Sequence, residues 1–354
     1  MSNAPSMLAA VYKEGQISVR EVPRPQPGPG EVLLEVEGAT LCATDIKIWR
    51  RGHRNIPAGS EAILGHEVVG RVVEVGEGVK AGLIGTRVVV PPNVGCGLCP
   101  ACLRGWDSFC PEYKAYGVGL PGALAEYMLL TAPGVSRGGL IEVPEEVPVK
   151  VAVLAEATSC CYRGLRECAV EAGDSVLVMG AGPMGVLSMI AAAAMGASQV
   201  IAADPLEKRR EMSLNFADYA LDPSADDFLD QVQEITRGEG VDVAMVTAPS
   251  TAAQRQAIEA AAIGGRINLF AGLAPDDAFQ GFPANLVHYR GLKVLGTTGT
   301  TPWEMKKVVA LMAGKKLPNI DRVVTAVFPL ARADEAFQEA SKGEGLKVML
   351  LPKK

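Results

Sequence analysis

Histidine is nearly absent from this chain, with three among 354 residues, and aromatic residues make up only 5%. No apolar run approaches the ~20 residues that a bilayer span needs, which excludes a membrane-crossing helix. Positive charge is not in excess either: 34 Lys and Arg face 40 Asp and Glu, a net charge of −6. That balance gives no reason to expect nucleic acid or an anionic membrane as a partner. The opening Met1-Ser2-Asn3-Ala4-Pro5-Ser6 has neither a basic region nor an apolar core, so no secretory signal is expected. Cysteine is not scarce. Of eight cysteines, four fall within fifteen residues. In a chain without a secretion signal, such crowding points to metal rather than to disulfides, and a reducing cytoplasm is the expected location. The length makes two domains the default.

The stretch around which the chain is organised runs from Asp174 to Asp204. Ser175-Val176-Leu177-Val178-Met179 is apolar and short, as a strand buried on both faces would be. Gly180-Ala181-Gly182-Pro183-Met184-Gly185 follows at once, then an Ala-rich helical run to Met195. Gly180 allows a tight turn, Gly182 lets the backbone approach a pyrophosphate, and Gly185 lets helix and strand pack closely. Pro183 suits the first helical turn, and with Met184 it opens the helix whose free N–H groups face the phosphates. A second strand, Gln199 to Ala203, ends on Asp204, nineteen residues after Gly185. There a carboxylate accepts from both ribose hydroxyls. A glycine triplet alone is weak; between a strand and a helix, closed by an acid, it is a dinucleotide site.

Upstream the texture is β. Ala9 to Tyr12 and Gln16 to Arg20 flank a Lys13-Glu14-Gly15 turn, and Val32, Leu34 and Val36 alternate down the next strand. Further strands at 68–75, 86–90 and 124–130 complete a mostly antiparallel domain. Beyond Val151, strands at 175–179, 199–203, 218–220, 241–246, 266–270 and 291–296 alternate with helices at 183–195, 205–216, 226–236 and 250–262. Six strands in βαβ rhythm make a doubly wound parallel sheet, so the fold class is α/β with a separate β domain. Residues 303–315 and 331–342 read as helices and 347–351 as a last strand. The expected division is 1–153, 154–296, and a return of 297–354 to the first domain.

Cys96, Cys99, Cys102 and Cys110 have the spacing C-x2-C-x2-C-x7-C. Four thiolates this close can close around one tetrahedral zinc, a structural site. Iron–sulfur clusters also take four cysteines, but the last spacing departs from the common ferredoxin runs. A second set is dispersed: Cys42 in Leu41-Cys42-Ala43-Thr44-Asp45, and His66-Glu67 in Leu64-Gly65-His66-Glu67-Val68. Alone, Cys42 reads as a small buried hydrophobe.

Taken in order, Cys42-Ala43-Thr44-Asp45, Gly65-His66-Glu67, the four-cysteine lobe and Gly180 to Gly185 resemble the zinc-dependent medium-chain dehydrogenase/reductase family over nearly the whole length. The resemblance implies a GroES-like β domain built from both ends of the chain, flanking a Rossmann domain. It implies two zinc ions per chain. Cys42, His66 and Glu67 bind the catalytic one, and Glu156 either joins them or holds the zinc-bound water. Leu154-Ala155-Glu156-Ala157-Thr158-Ser159-Cys160-Cys161 is similar to the Glu-Pro-Leu-x-Cys run of sorbitol and related polyol dehydrogenases, with Ala157 in place of proline. Cys160 and Cys161, with apolar neighbours, read as buried free thiols, and Cys168 as core. Where polyol and threonine enzymes place a histidine five residues after the zinc cysteine, this chain has Lys47. The arginine of sorbitol dehydrogenases has no counterpart in residues 296–302.

The function so implied is oxidation of a polar secondary alcohol, of polyol type, to its ketone. Thr44 takes the hydroxyl proton, with Lys47 or His53 as exits, and Asp45 orients His66 or simply caps a turn. Phe270, Gly272 and Thr297 pass or hold the nicotinamide. NAD is expected over NADP, because Asp204 repels a 2′-phosphate. Lys208-Arg209-Arg210 could approach such a phosphate but read as the solvated face of the next helix, with Arg209 counted among the cofactor residues. L-Threonine 3-dehydrogenase and simple secondary-alcohol dehydrogenase share these motifs. A non-catalytic NAD-binding protein would be expected to lack Cys42, His66 or Thr44. The family resemblance also implies a homodimer or homotetramer joined at the Leu292–Gly296 edge strand.

Overall fold

In the computed structural model, which describes residues 5–273 and 282–353, the chain is shared between two units. The first comprises the chain up to Ser159, Gly299–Gly314, and Val324 onward; the second comprises Cys160–Thr298 and Lys315–Val323. The return to the first unit is therefore not unbroken from residue 297. The short 3-10 turn Ile320–Arg322 is held in the second unit by Asn215. Asn319 Nδ2 donates to its carbonyl at 2.8 Å, and Arg322 Nη1 to its side-chain oxygen at 2.9 Å.

In the first unit a hairpin, Ser6–Lys13 with Gln16–Pro23, stands on a small three-stranded sheet. The main sheet has seven strands. Its path runs Ile141–Glu142, Arg87–Val89, Glu67–Val75, Val32–Thr40, Lys347–Leu351 and Val324–Pro329, and Tyr127–Leu130 also pairs with Val32–Thr40. All pairings are antiparallel except Val324–Pro329 with Lys347–Leu351. Val32, Leu34 and Val36 enter one core with Met128, Leu130 and Phe337, as strand alternation requires. The register matters for the site. Thr40 sits opposite Glu67 at the end of the pair Val32–Thr40 and Glu67–Val75. Cys42 and His66, 24 residues apart in sequence, thus leave the sheet at the same edge.

The second unit is a six-stranded parallel sheet, in the order Tyr219–Leu221, Gln199–Ala203, Ser175–Met179, Val241–Val246, Ala261–Asn268, Lys293–Leu295. Numbered along the chain this is 3-2-1-4-5-6, the doubly wound order whose ligand crevice lies at the carboxyl ends of the strands. Every residue of Ser175–Met179 is buried. The helix expected over 250–262 stops at Glu259, because Ala261 already pairs as strand, opposite Val241. The helix Ala155–Glu167, which carries Glu156, was not foreseen as a helix: it holds Thr, Ser, Cys and Tyr, which are poor helix formers, and burial decides it.

Candidate active site

The four-cysteine lobe assembles itself locally. Cys96, Cys99, Cys102 and Cys110 bring their sulfurs within 4.8 Å of one another. Main-chain N–H groups already donate to three of them: Cys99 N to Cys96 Sγ at 3.4 Å, Cys102 N to Cys99 Sγ at 3.5 Å, Cys96 N to Cys110 Sγ at 3.3 Å. Such donors stabilise thiolate. The Leu98 and Cys99 amides bring the Cys96 thiol down to about 7, whereas burial pushes Cys102 up to about 12. Arg137 braces the lobe, donating from Nη1 to Gly95 O at 2.7 Å and lying 3.3 Å from Asp107.

The second cluster is drawn from distant segments. Cys42 precedes the helix Ala43–Arg51, His66 precedes and Glu67 opens the strand Glu67–Val75, and a donor atom from each lies within 4.8 Å of the others. Glu156 is outside that triplet but close enough to act on it. Burial disfavours a charged His66, yet Cys42, Asp45 and Glu156 together hold its proton affinity well above the usual imidazole value. Asp45 does not orient the imidazole directly, because its Oδ1 lies 3.8 Å from His66 Nδ1, and that nitrogen is buried without a hydrogen-bond partner. Instead Asp45 accepts from Cys42 N at 2.9 Å and Gly65 N at 3.0 Å. It positions the backbone of both ligand segments.

Lys347 and Thr40 are the residues that sequence reading missed. Lys347 is 2% exposed and its Nζ donates to Glu67, while the Thr40 hydroxyl donates to the other carboxylate oxygen. Burial opposes the Lys347 charge, but Glu67, then Cys42 and Glu156, keep it raised above the ordinary ammonium range. A lysine opening the apolar strand Lys347–Leu351 is the signal that was available. Thr44 is half-buried and Lys47, three residues on along the same helix, is exposed. The donor set of thiolate, imidazole and carboxylate is of the kind that holds zinc with a position open to substrate. The anionic surroundings of His66 suit a dication, and the residues present therefore fit the metal.

In the second unit each glycine of the turn has the expected geometry. Gly180 takes φ +105°, a Cβ on Gly185 would strike Gly180 O at 1.8 Å, and Gly182 is open. Pro183 and Met184 start the helix Pro183–Ala194. Asp204 is 2% exposed and ties the turn to the strand end, accepting from Ala181 N and from Leu206 N, both at 2.9 Å. Arg209 and Arg210 do not lie on a fully solvated face, as the sequence suggested. Arg209 Nη1 reaches to 3.6 Å from Asp204 Oδ2, and Arg210 Nη1 donates to Asp204 O at 2.9 Å. Phe270 and Gly272 follow the strand Ala261–Asn268, and Thr297 Oγ1 pairs with Asn268, with Nδ2 at 3.1 Å. Cys160, Cys161 and Cys168 are buried and not in disulfides, and Cys161 Sγ donates to Met184 O at 3.3 Å.

With this geometry in hand, comparison gives the class. The alcohol dehydrogenase GroES-like domain family matches residues 28–142, and the zinc-binding dehydrogenase family matches residues 183–314. The chain belongs to the zinc-dependent medium-chain dehydrogenase/reductase family, and it is an enzyme of the zinc alcohol dehydrogenase type. It is 35% identical to an L-threonine 3-dehydrogenase of Pyrococcus abyssi, over 94% of each chain. A sorbitol dehydrogenase of Halalkalibacterium halodurans is 28% identical, over 98% of this chain and 99% of its own. A Sinorhizobium meliloti structure described as a zinc-binding dehydrogenase bound to NADP superposes with a TM-score of 0.89 at 28% identity, over 98% of this chain and 100% of that one. Among the described residues no helix is long and apolar enough to cross a membrane.

Proposed function

We propose that this enzyme oxidises a polar secondary alcohol to its ketone and reduces NAD, with the reverse reaction equally open. The observation that carries the reading is the convergence of Cys42, His66 and a carboxylate at one sheet edge, beside Glu156, in a chain with a dinucleotide turn. A zinc ion held by Cys42 and His66, with Glu156 or Glu67 as third protein ligand, would supply the Lewis acidity that lowers the pKa of a substrate hydroxyl. Both oxygens of Glu67 are engaged by Lys347 and Thr40, which favours Glu156 for that third place. The nicotinamide supplies the hydride acceptor. Thr44, whose hydroxyl has no partner among the described residues, accepts the substrate proton and passes it towards Lys47 or His53. Four sulfurs fill a second, structural zinc site.

Asp204, with its acceptor oxygens at the strand end, favours the free ribose hydroxyls of NAD over a 2′-phosphate. The assembly in this reading is a homodimer or homotetramer through the Lys293–Leu295 edge strand, and the partner is a small alcohol or ketone. A second reading, L-threonine 3-dehydrogenase, is favoured by the Pyrococcus abyssi relative. NADH formation by the zinc-loaded enzyme across polyols, inositols, threonine and plain secondary alcohols decides between them. A polyol preference supports the first reading, a threonine preference the second, and no turnover with any of them overturns both.

A further inference from the structure

Positive charge collects at the end of the helix Ala43–Arg51 that lies away from Cys42. Residues 47–54 hold four Lys or Arg, and no Asp or Glu stands between Asp45 and Glu61, in a chain of net charge −6. The exposed Arg50, Arg51 and Arg54 line a pocket of about 570 Å³ with His53, Tyr12 and Trp49, the size of a small-molecule site. None of Cys42, Thr44, His66 and Glu67 lines it. Among the described residues no carboxylate pairs with any of the three arginines, and Arg50 Nη2 donates only to Ser341 O, at 3.3 Å. Compensation of the helix end does not account for so many cations. A helix C-terminus carries about half a negative charge, and Glu14 is the one carboxylate lining the pocket, so three guanidiniums leave an excess of about +1.5. His53 senses that field. Its Nδ1 accepts from Asn55 N at 3.1 Å, which leaves Nε2 as the donor, and burial and then the Arg54 charge lower its proton affinity.

We propose that this pocket is an anion site, separate from the zinc and nucleotide positions, and that it takes the phosphate group of a small molecule. A phosphate carries about −1.5 to −2 at neutral pH, which matches the cationic excess, and its oxygens accept from several guanidiniums at once. A carboxylate brings a single charge and an uncharged polyol none. The backbone already gathers the donors. Gly52, at φ +69°, turns the chain between Arg51 and His53. Ile56 N then donates to His53 O at 2.9 Å and closes the turn that carries Arg54. Arginine suits the task better than lysine, because its planar fork meets two phosphate oxygens together. The site stands whether or not the alcohol and nucleotide reading holds. Its phosphate comes either from a separate ligand or from a substrate that carries one.

The probe is inorganic phosphate, titrated into full-length, zinc-loaded protein with NADH present to fill the nucleotide's own phosphate positions. Calorimetry and the NMR titration of His53 are the two readouts. One saturable site per chain is expected, with the His53 midpoint carried upward, because an anion favours the charged ring. Arg51→Gln and Arg54→Gln should each weaken phosphate about tenfold, and Arg54→Lys less, with Tm unmoved because these side chains are exposed. Binding that survives in the Arg51→Gln, Arg54→Gln double variant, or that leaves His53 unmoved, overturns the site and puts the anion elsewhere. So does the absence of saturable binding up to ~10 mM phosphate. A second arm finds the source, by comparing KM for sorbitol and sorbitol 6-phosphate in wild type and Arg51→Gln. A rise confined to the phosphorylated alcohol assigns the pocket to the substrate's own phosphate. Unchanged KM values, with phosphate binding lost, assign it to a separate ligand, and an equal rise for both alcohols overturns the proposal. Lack of turnover with either alcohol counts against the functional reading alone, since the phosphate titration does not depend on it.

Discussion

The two candidate metal clusters of the first unit solve opposite problems. The Cys96–Cys110 lobe draws four identical donors from fifteen residues and supports them with main-chain N–H groups, so its preference for metal is written into a short loop. The Cys42, His66, Glu67 cluster draws unlike donors from two strand ends and depends on Lys347, almost 300 residues away, to hold one carboxylate. The lobe would offer no open place, since four sulfurs suffice for all four corners of a tetrahedral zinc. The dispersed cluster has a carboxylate that is already committed to Lys347 and Thr40. In the proposed function, the local cluster is the structural site and the dispersed one the reactive site.

Loss of Cys42 should break this contrast most sharply. Cys42→Ser is expected to lower kcat by more than the ~100-fold typical of losing a supporting contact, with little change in unfolding temperature. Turnover within tenfold of wild type would refute the catalytic metal. The mirror experiment is Cys99→Ser. It should remove one zinc equivalent and cost about 4 kcal/mol, hence a fall of roughly 10 °C in Tm, while the folded fraction keeps its kcat. A stable variant with its full zinc content would remove the distinction. A smaller effect is expected in the second unit. Asp204→Ala should weaken NAD binding about tenfold and narrow the gap to NADP, since a charged acceptor contributes ~1.5–3 kcal/mol. Equal NAD affinity in variant and wild type would overturn the ribose contact.

The smallest effect concerns His53, which belongs to neither cluster. Burial and then the Arg54 charge depress its proton affinity below the usual 6.5. A depressed histidine contributes stability that is present above the unfolded pKa and is lost as pH falls through the folded one. The NMR titration of this ring, one of only three to assign, should therefore have its midpoint below 6.5. A midpoint above that value would contradict the burial argument.

Local features were legible in the sequence and long-range ones were not. Gly180, Gly182, Gly185 and Asp204 stand within one βαβ unit, and the four lobe cysteines within one loop, so spacing alone carries their geometry. Thr40 and Lys347 acquire their roles only through sheet register, Thr40 opposite Glu67 and Met349 opposite Thr40. No local pattern announces such pairings. The helix Ala155–Glu167 escaped because tertiary burial overrides weak propensity. Arg209 was read from its run of basic neighbours as solvated, but Asp204 draws it back. The strand Val324–Pro329 went unread although Val324-Thr325-Ala326-Val327-Phe328 is β-rich.

The central sheet of the first unit also bears on the order of events at the ribosome. Strand Lys347–Leu351 sits between Val32–Thr40 and Val324–Pro329, so an early strand waits for one of the last segments to be translated. At 5–20 residues per second that delay is roughly 15–60 s. The stretch Cys160–Thr298, unbroken along the chain, can meanwhile collapse around its own core. Nascent first-unit strands with an unpaired edge are the species most exposed to mispairing during that interval. A chaperone requirement, if the cell imposes one, should fall on chains stalled before residue 347.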